Sequence, residues 1–254
     1  MNILDKFSLK GKKVLVTGGA QGIGLNYAMA AAGAGADVAL ADKNKTKAEE
    51  EAVKLSRAYG IEAVGIEVDV TSPEQVEEMC SFMAEKMGRI DVAFCNAGIS
   101  INTPAEEMTF DQWRKVIDIN LTGVFLTATA AGRYMIRQGG GSIINTASMS
   151  GHIVNIPQPQ AAYNASKAGV IMLTKSLAVE WAGKNVRVNS ISPGYIMTDL
   201  IKGHELIPVW TGLSPLERMG RPEELQGVAL YLASDAGTFT TGADFVVDGA
   251  YTCV

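Results

Sequence analysis

Histidine is scarce in this chain, with only His152 and His204 among 254 residues, so a metal centre built on imidazoles has little to draw on. Three cysteines, Cys80, Cys95 and Cys253, form neither a C-x-x-C pair nor an even framework, and Cys95 sits in an apolar run where a thiol is usually buried. That pattern argues against a disulfide scaffold and fits a reducing compartment. No block of Lys or Arg offsets the net charge of −5, which argues against nucleic acid or an anionic membrane as a partner. No apolar run approaches the ~20 residues needed to span a bilayer. Met1 to Lys13 alternates charge with apolar residues where a signal peptide would be continuously apolar. The expectation is an unexported, cytoplasmic protein. Internal repeats, low-complexity tracts and linkers are also absent. A carboxylate site for a hard cation is the metal class that remains open.

Glycine is abundant, with 27 residues where the usual ~7% would give fewer, and the excess suggests tight turns and close backbone approaches. Hydrophobic content of 47% is enough for a large core, and one α/β domain over residues 1–254 is the preferred organisation. Lys13 to Thr17 reads as a strand. It runs into Gly18-Gly-Ala-Gln-Gly22-Ile23-Gly24 and then an Ala-rich helix to Ala34. Such a glycine turn lets backbone N–H groups meet a phosphate at the positive end of a helix. Asp37 to Ala41 is the next strand and ends at Asp42, where a carboxylate can accept ribose hydroxyls and repel a ribose phosphate; Lys43 blunts that discrimination.

Further alternation follows. A charged helix spans Lys45 to Tyr59, a strand spans Ala63 to Val68 before Asp69, and Ser72-Pro73-Glu74-Gln75 opens a helix to Met87 with a capping box. Asp91 to Cys95 is a buried strand leading to Asn96-Ala97-Gly98. Thr109 to Gln112 is a second capping box, beginning a helix to about Gln138 that contains Asn120. Gly141 to Ala147 is a strand that delivers Ser148. After a Pro-broken loop, Ala161 to Trp181 is a helix. Val186 to Ile191 is a strand, residues 195–217 form a mobile cover over a site, and helices begin at Ser214 and Pro222 before a last strand at Asp244 to Asp248. The pattern predicts a doubly wound parallel sheet with helices on both faces, in which ligands bind beyond the carboxyl ends of the strands. Gly18, Asp42, Asp69, Asn96, Ser148 and Pro193 would then line one rim.

On that rim, Tyr163 and Lys167 are one helical turn apart and can converge on one spot. An ammonium beside a phenol favours the phenolate and lowers the tyrosine pKa, as a proton shuttle requires. With seven Tyr, this composition gives about 0.4 such Tyr–Lys pairs by chance, so the pair matters for its surroundings. Ser148 would hold a substrate oxygen beside the phenol.

Taken together, Thr17-Gly-Gly-Ala-Gln-Gly-Ile-Gly24, Asp69-Val70, Asn96-Ala-Gly98, Asn120, Ser148, Tyr163-Asn-Ala-Ser-Lys167 and Pro193-Gly194 resemble the short-chain dehydrogenase/reductase family along nearly the whole chain. The resemblance implies a Rossmann-like sheet of seven strands in the order 3-2-1-4-5-6-7, and hydride transfer between a nicotinamide and a carbon bearing oxygen. It implies Tyr163 as acid and base, Lys167 as the group that lowers its pKa and binds the nicotinamide ribose, Ser148 as the holder of the reacting oxygen, and Asn120 as the anchor of a water. Gly18, Gly22, Ile23 and Gly24 would cradle a pyrophosphate, Asp69 and Val70 the adenine, Asn96, Ala97 and Gly98 the adenosine side, and Ile196 and Thr198 the carboxamide, beside Pro193 and Gly194. Asp42 resembles the acidic residue of NAD-using members, and Gln21 stands where NADP-using members often carry a cation; NAD is therefore expected, with NADP possible. The resemblance also implies a homotetramer in which the helices from Thr109 and Ala161 meet a second subunit. Asp248-Gly-Ala250 departs from the family, where a second Gly is more usual.

For the substrate, Ser150, His152, Asn155, Gln158 and Gln160 lie between Ser148 and Tyr163 and would bring amide and imidazole groups to the reacting oxygen. Such groups suit a polyhydroxylated ligand better than an acyl chain, which would leave them unpaired. The stretch from Ser148 to Gln160 is also similar to family members acting on sugar alcohols and ketoses. The expectation is a polyol/ketose pair. The alternatives are an NADPH-dependent reductase of 3-oxoacyl thioesters or other ketones, and a binding protein that senses the dinucleotide without turnover.

Overall fold

The computed structural model describes residues 2–199 and 201–254; Leu200, placed in the cover by the sequence, lies outside the described residues. The strands β1 (Lys13–Thr17), β2 (Asp37–Asp42), β3 (Ala63–Glu67), β4 (Val92–Cys95), β5 (Gly141–Thr146), β6 (Val186–Pro193) and β7 (Asp244–Val247) form one parallel sheet. Their order is β3-β2-β1-β4-β5-β6-β7, the doubly wound arrangement that the resemblance implied. Helices α1 (Gly22–Gly33), α2 (Lys45–Tyr59), α3 (Pro73–Met87), α4 (Phe110–Ile117), α5 (Gly123–Gln138), α6 (Ala161–Trp181), α7 (Ile207–Leu213) and α8 (Gln226–Ala233) accompany it.

The central strands β1, β4 and β5 are buried almost throughout because both faces of the sheet are covered. Strand alternation divides the sheet's residues between two cores. Leu15, Ala39, Ala93 and Ile143 join one with Met79, Met83 and Trp181, while Val14, Val16, Leu40, Phe94 and Ile144 join the other with Tyr27 and Leu232. In-register pairing then fixes the rim: Thr17 stands beside Ala41, Cys95 beside Asn145, and Thr146 beside Ile191.

Several local details differ from the expectation. The Ser72 hydroxyl caps α3 by accepting the Gln75 N–H at 3.3 Å, but Gln75 Oε1 accepts the Asp69 N–H at 2.8 Å, so no reciprocal capping box forms there. The box at Thr109 is complete. The long helix from Thr109 is broken in register by a π turn over Asp118–Thr122, between α4 and α5, with Asn120 at its middle. Ser214 ends α7 and starts no helix, because the chain turns through Glu217, whose φ of 52° is left-handed. Among the described residues, no helix is long and apolar enough to cross a membrane.

Candidate active site

A cleft of about 1090 Å³ runs along the carboxyl rim of the sheet. Gly18, Gln21, Gly22, Ile23, Asp42, Asp69, Val70, Asn96, Ala97, Gly98, Ser148, Tyr163, Lys167, Pro193, Gly194 and Thr198 line it, so strands far apart in sequence bring the expected dinucleotide and catalytic residues to one space. Gly24 lies beneath its floor. A Cβ there would stand 2.2 Å from the Gly18 carbonyl oxygen and 2.5 Å from Asn96 Nδ2. Ile196, expected at the carboxamide, is buried against the second core and does not line the cleft.

Gly18 and Gly22 have φ of 63° and 56°, which suits glycine, and α1 begins at Gly22 after an N-cap, Gln21, that makes no side-chain cap bond, with no acidic residue in its first turn. Its leading N–H groups therefore face the cleft end of a helix dipole, as an anionic pyrophosphate requires. Asp42 accepts the Ala20 N–H at 3.2 Å and the Asn44 N–H at 3.0 Å, which fixes its carboxylate beside that turn. Lys43 is paired with Asp69 at 2.8 Å and Lys47 donates to Gln21 Oε1 at 2.8 Å. The Lys43 ammonium and the Thr71 hydroxyl hold Asp69 down at about 2.

At the other end, Ser148 follows β5, and Tyr163 and Lys167 rise from the first turns of α6. Ser148 and Tyr163 both line the cleft, with the Ser148 hydroxyl acting to favour the ionised phenol. Lys167 Nζ donates to the Thr146 carbonyl at 2.7 Å and lies 5.7 Å from the Tyr163 ring centroid. Burial raises the Tyr163 pKa, with the Ser148 bond opposing it, and burial lowers Lys167 to about 8. This departs from the expectation of a lowered tyrosine: desolvation dominates, and the Lys167 ammonium gives its hydrogen bond to the Thr146 carbonyl. Asn120 is fully buried. Its amide accepts the Ile99 N–H at 2.8 Å and donates to the Ile99 carbonyl at 2.8 Å and to Ser166 Oγ at 3.2 Å, so both amide hydrogens are engaged and none is left for a water.

Of the residues expected at the substrate, Ser148 and Tyr163 line the cleft, while the loop residues between them do not. His152 Nε2 lies 2.6 Å from Asp244 Oδ2, and Asp244 also accepts the Ser190 and Ser192 hydroxyls, so the imidazole is drawn to β7 and away from the reacting oxygen. Ser150, Asn155 and Gln160 are buried and bonded to one another; they stand behind the cleft wall and do not line it. The physical reason is mutual: each polar group found a partner nearer than the cleft. Lining residues that the sequence reading missed include Thr146, Ser100, Arg114 and Asp118. Thr146 was detectable as the last residue of the strand that delivers Ser148; Arg114 and Asp118 look in sequence like any solvated helix face. No group of three or more His, Cys, Asp or Glu able to hold a metal occurs among the described residues.

A parallel doubly wound sheet with a glycine-turned helix end and a Ser/Tyr/Lys cluster on one rim defines a dinucleotide-dependent oxidoreductase architecture. Residues 18–252 match a family model described as enoyl-(acyl carrier protein) reductase. The chain is 47% identical to a sorbose reductase of Candida albicans over 257 residues, covering 99% of this chain and 91% of that protein. It is 43% identical to an NADP-dependent mannitol dehydrogenase of Hypocrea jecorina, covering 98% and 96%. A crystal structure of a short-chain type dehydrogenase/reductase from Mycobacterium marinum superposes with a TM-score of 0.97 at 49% identity, covering both chains fully. The chain belongs to the short-chain dehydrogenase/reductase family.

Proposed function

We propose that the chain oxidises a secondary hydroxyl of a polyol to the ketone of a ketose, reversibly, with a nicotinamide dinucleotide. The observation that carries this reading is that Ser148, Tyr163 and Lys167 share a cleft with the uncapped start of α1 and Asp42. Bound there, the nicotinamide ring supplies the carbon that takes or gives the hydride. The chain's own residues handle the proton. Ser148 holds the reacting oxygen against the phenol, and Tyr163 takes the hydroxyl proton in oxidation or returns it in reduction. Lys167, lowered only to about 8, is largely charged at neutral pH and stabilises the phenolate in a site where burial strengthens the attraction. The polyol class is supported by the names of the sugar-acting relatives at 47% and 43% identity.

NAD is the coenzyme we favour, because Asp42 lines the cleft and the nearest ammonium groups, Lys43 and Lys47, are already paired. A second reading, NADP, is favoured by those same two lysines beside Asp42 and by the Hypocrea relative's name. We further read the protein as one domain with a cover over residues 195–217, acting in the cytoplasm as a homotetramer. Exposed Phe110 and Trp113 on α4 and Met172 and Val179 on α6 support association through those helices. The test is the appearance of reduced nicotinamide with tetritols, pentitols and hexitols, using NAD and NADP in parallel. Turnover of a polyol is expected; turnover only of 3-oxoacyl thioesters would overturn the substrate class, and turnover only with NADP the coenzyme.

A further inference from the structure

The loop after Ser148 and the cover are joined by a network of polar side chains within hydrogen-bonding distance of one another. Ser148 Oγ accepts the Ser150 N–H at 3.1 Å, and Ser150 Oγ accepts from Gln160 Nε2 at 3.2 Å. The same amide nitrogen reaches Asn155 Oδ1 at 3.1 Å and Asn164 Oδ1 at 2.8 Å, so its two hydrogens are shared among three acceptors. Asn155 Nδ2 in turn donates to the Tyr195 hydroxyl at 3.2 Å, and Gln158 Nε2 donates to that hydroxyl at 2.6 Å. Gln158 Oε1 finally accepts the Trp210 Nε1–H at 3.0 Å. Trp210, on α7, stacks on Tyr195 with centroids 4.5 Å apart, and His204 stacks on Trp210 at 4.8 Å. Ser150, Asn155, Gln158, Gln160 and Trp210 are all buried.

The arrangement is neutral, and Gln158 uses both ends of its amide. If Gln158 is removed, the Trp210 N–H is left buried without a partner and Tyr195 loses its shorter bond, which makes the docked position of α7 less favourable. The segment so held includes Thr198 and Asp199, which line the cleft. We infer that Gln158 is a positioning residue: it latches the cover through Trp210 and ties it, through Tyr195, Asn155, Gln160 and Ser150, to the Ser148 hydroxyl. This inference rests on the oxidoreductase reading only for its consequence in turnover, not for the latch itself.

Two variants test it in the full chain. Trp210→Phe keeps the stacked ring and deletes the N–H; Gln158→Met keeps the length and deletes both polar ends. Lys202 is exposed within the cover, so trypsin cleavage there under native conditions reads its opening with no substrate present. Trp210→Phe should speed that cleavage about five-fold, the change expected for one neutral hydrogen bond, and Gln158→Met, which also deletes the bond to Tyr195, should speed it by more. The double variant should be no faster than Gln158→Met, because both delete the same bond. In turnover, the KM for the hydroxyl substrate should rise in the same proportion. Unchanged cleavage at Lys202, effects that multiply in the double variant, or cleavage spread over the whole chain with a falling thermal midpoint would each overturn the latch. Failure of the polyol assignment would leave the cleavage result untouched, so the two failures are distinguishable. If Gln158→Met does not fold, Trp210→Phe alone decides.

Discussion

Replacing Gly24 with alanine should damage the dinucleotide end of the cleft more than its size suggests. The added Cβ would lie 2.2 Å from the Gly18 carbonyl oxygen and 2.5 Å from Asn96 Nδ2, closer than real side chains come. Neither neighbour is a flexible tip. The carbonyl belongs to the turn itself, and Asn96 Nδ2 is held by the Thr17 and Gly18 carbonyls at 3.1 and 3.3 Å. Relief must therefore move backbone, at the upper part of the ~1–3 kcal/mol typical of overpacking. At about 2–4 °C per kcal/mol for a chain of this length, the thermal midpoint should fall by roughly 5–10 °C. Since the same movement displaces the first N–H groups of α1, coenzyme should bind at least ~10-fold more weakly, about 1.4 kcal/mol. Gly227 is the control: it sits in α8 with no atom within 4 Å of an added Cβ, so Gly227→Ala should hold or raise the midpoint and leave binding alone. The assays are thermal unfolding and titration with reduced coenzyme followed by fluorescence. A Gly24→Ala protein with unchanged midpoint and unchanged affinity would refute the reasoning.

Ala250 offers a prediction of the opposite sign. Its φ of 68° is a left-handed conformation that strains an L side chain, which accounts physically for the glycine expected there. Ala250→Gly should stabilise by about 0.5–1 kcal/mol after the glycine's own entropy is counted, raising the midpoint by roughly 1–3 °C; a lowered midpoint would contradict this. The pH dependence follows from burial. With Tyr163 held above the ordinary tyrosine range, the phenol is protonated at neutral pH and ready to act as an acid, so reduction should be favoured there. Oxidation needs the phenolate and should climb as pH rises, flattening once pH passes about 8 and Lys167 loses its charge. Profiles of kcat/KM in both directions check this, and oxidation that slows from neutral to mildly alkaline pH would contradict it.

Much of this was legible in the chain because local and global signals agree. The β-branched run Lys13–Thr17, the glycine turn and Asp42 each announce a strand end, and their shared rim follows from alternation alone. The Tyr163–Lys167 spacing needed only a helix to become a pair. What escaped the sequence was set by long-range partners. Asp244, 92 residues from His152, decides where that imidazole points, and no local pattern reveals it. The amides of Asn155, Gln158 and Gln160 read equally well as substrate contacts or as mutual partners until Tyr195 and Trp210 are placed among them. The π turn at Asn120 keeps helical spacing on either side, so periodicity passes over it. The upward shift of Tyr163 was not legible because proximity to a lysine is visible in sequence, whereas the desolvation of the phenol and the burial of Lys167 are not.

The most direct test of the proposed chemistry is Tyr163→Phe, which removes one hydroxyl and keeps the ring. Measured with the best hydroxyl substrate from the panel, turnover should be lost in both directions while the dissociation constant for coenzyme changes by no more than about two-fold, because the phenol's part is the proton rather than the cradle. Turnover that survives this substitution would contradict Tyr163 as the proton-transferring group and with it the mechanism assigned to Ser148, Tyr163 and Lys167.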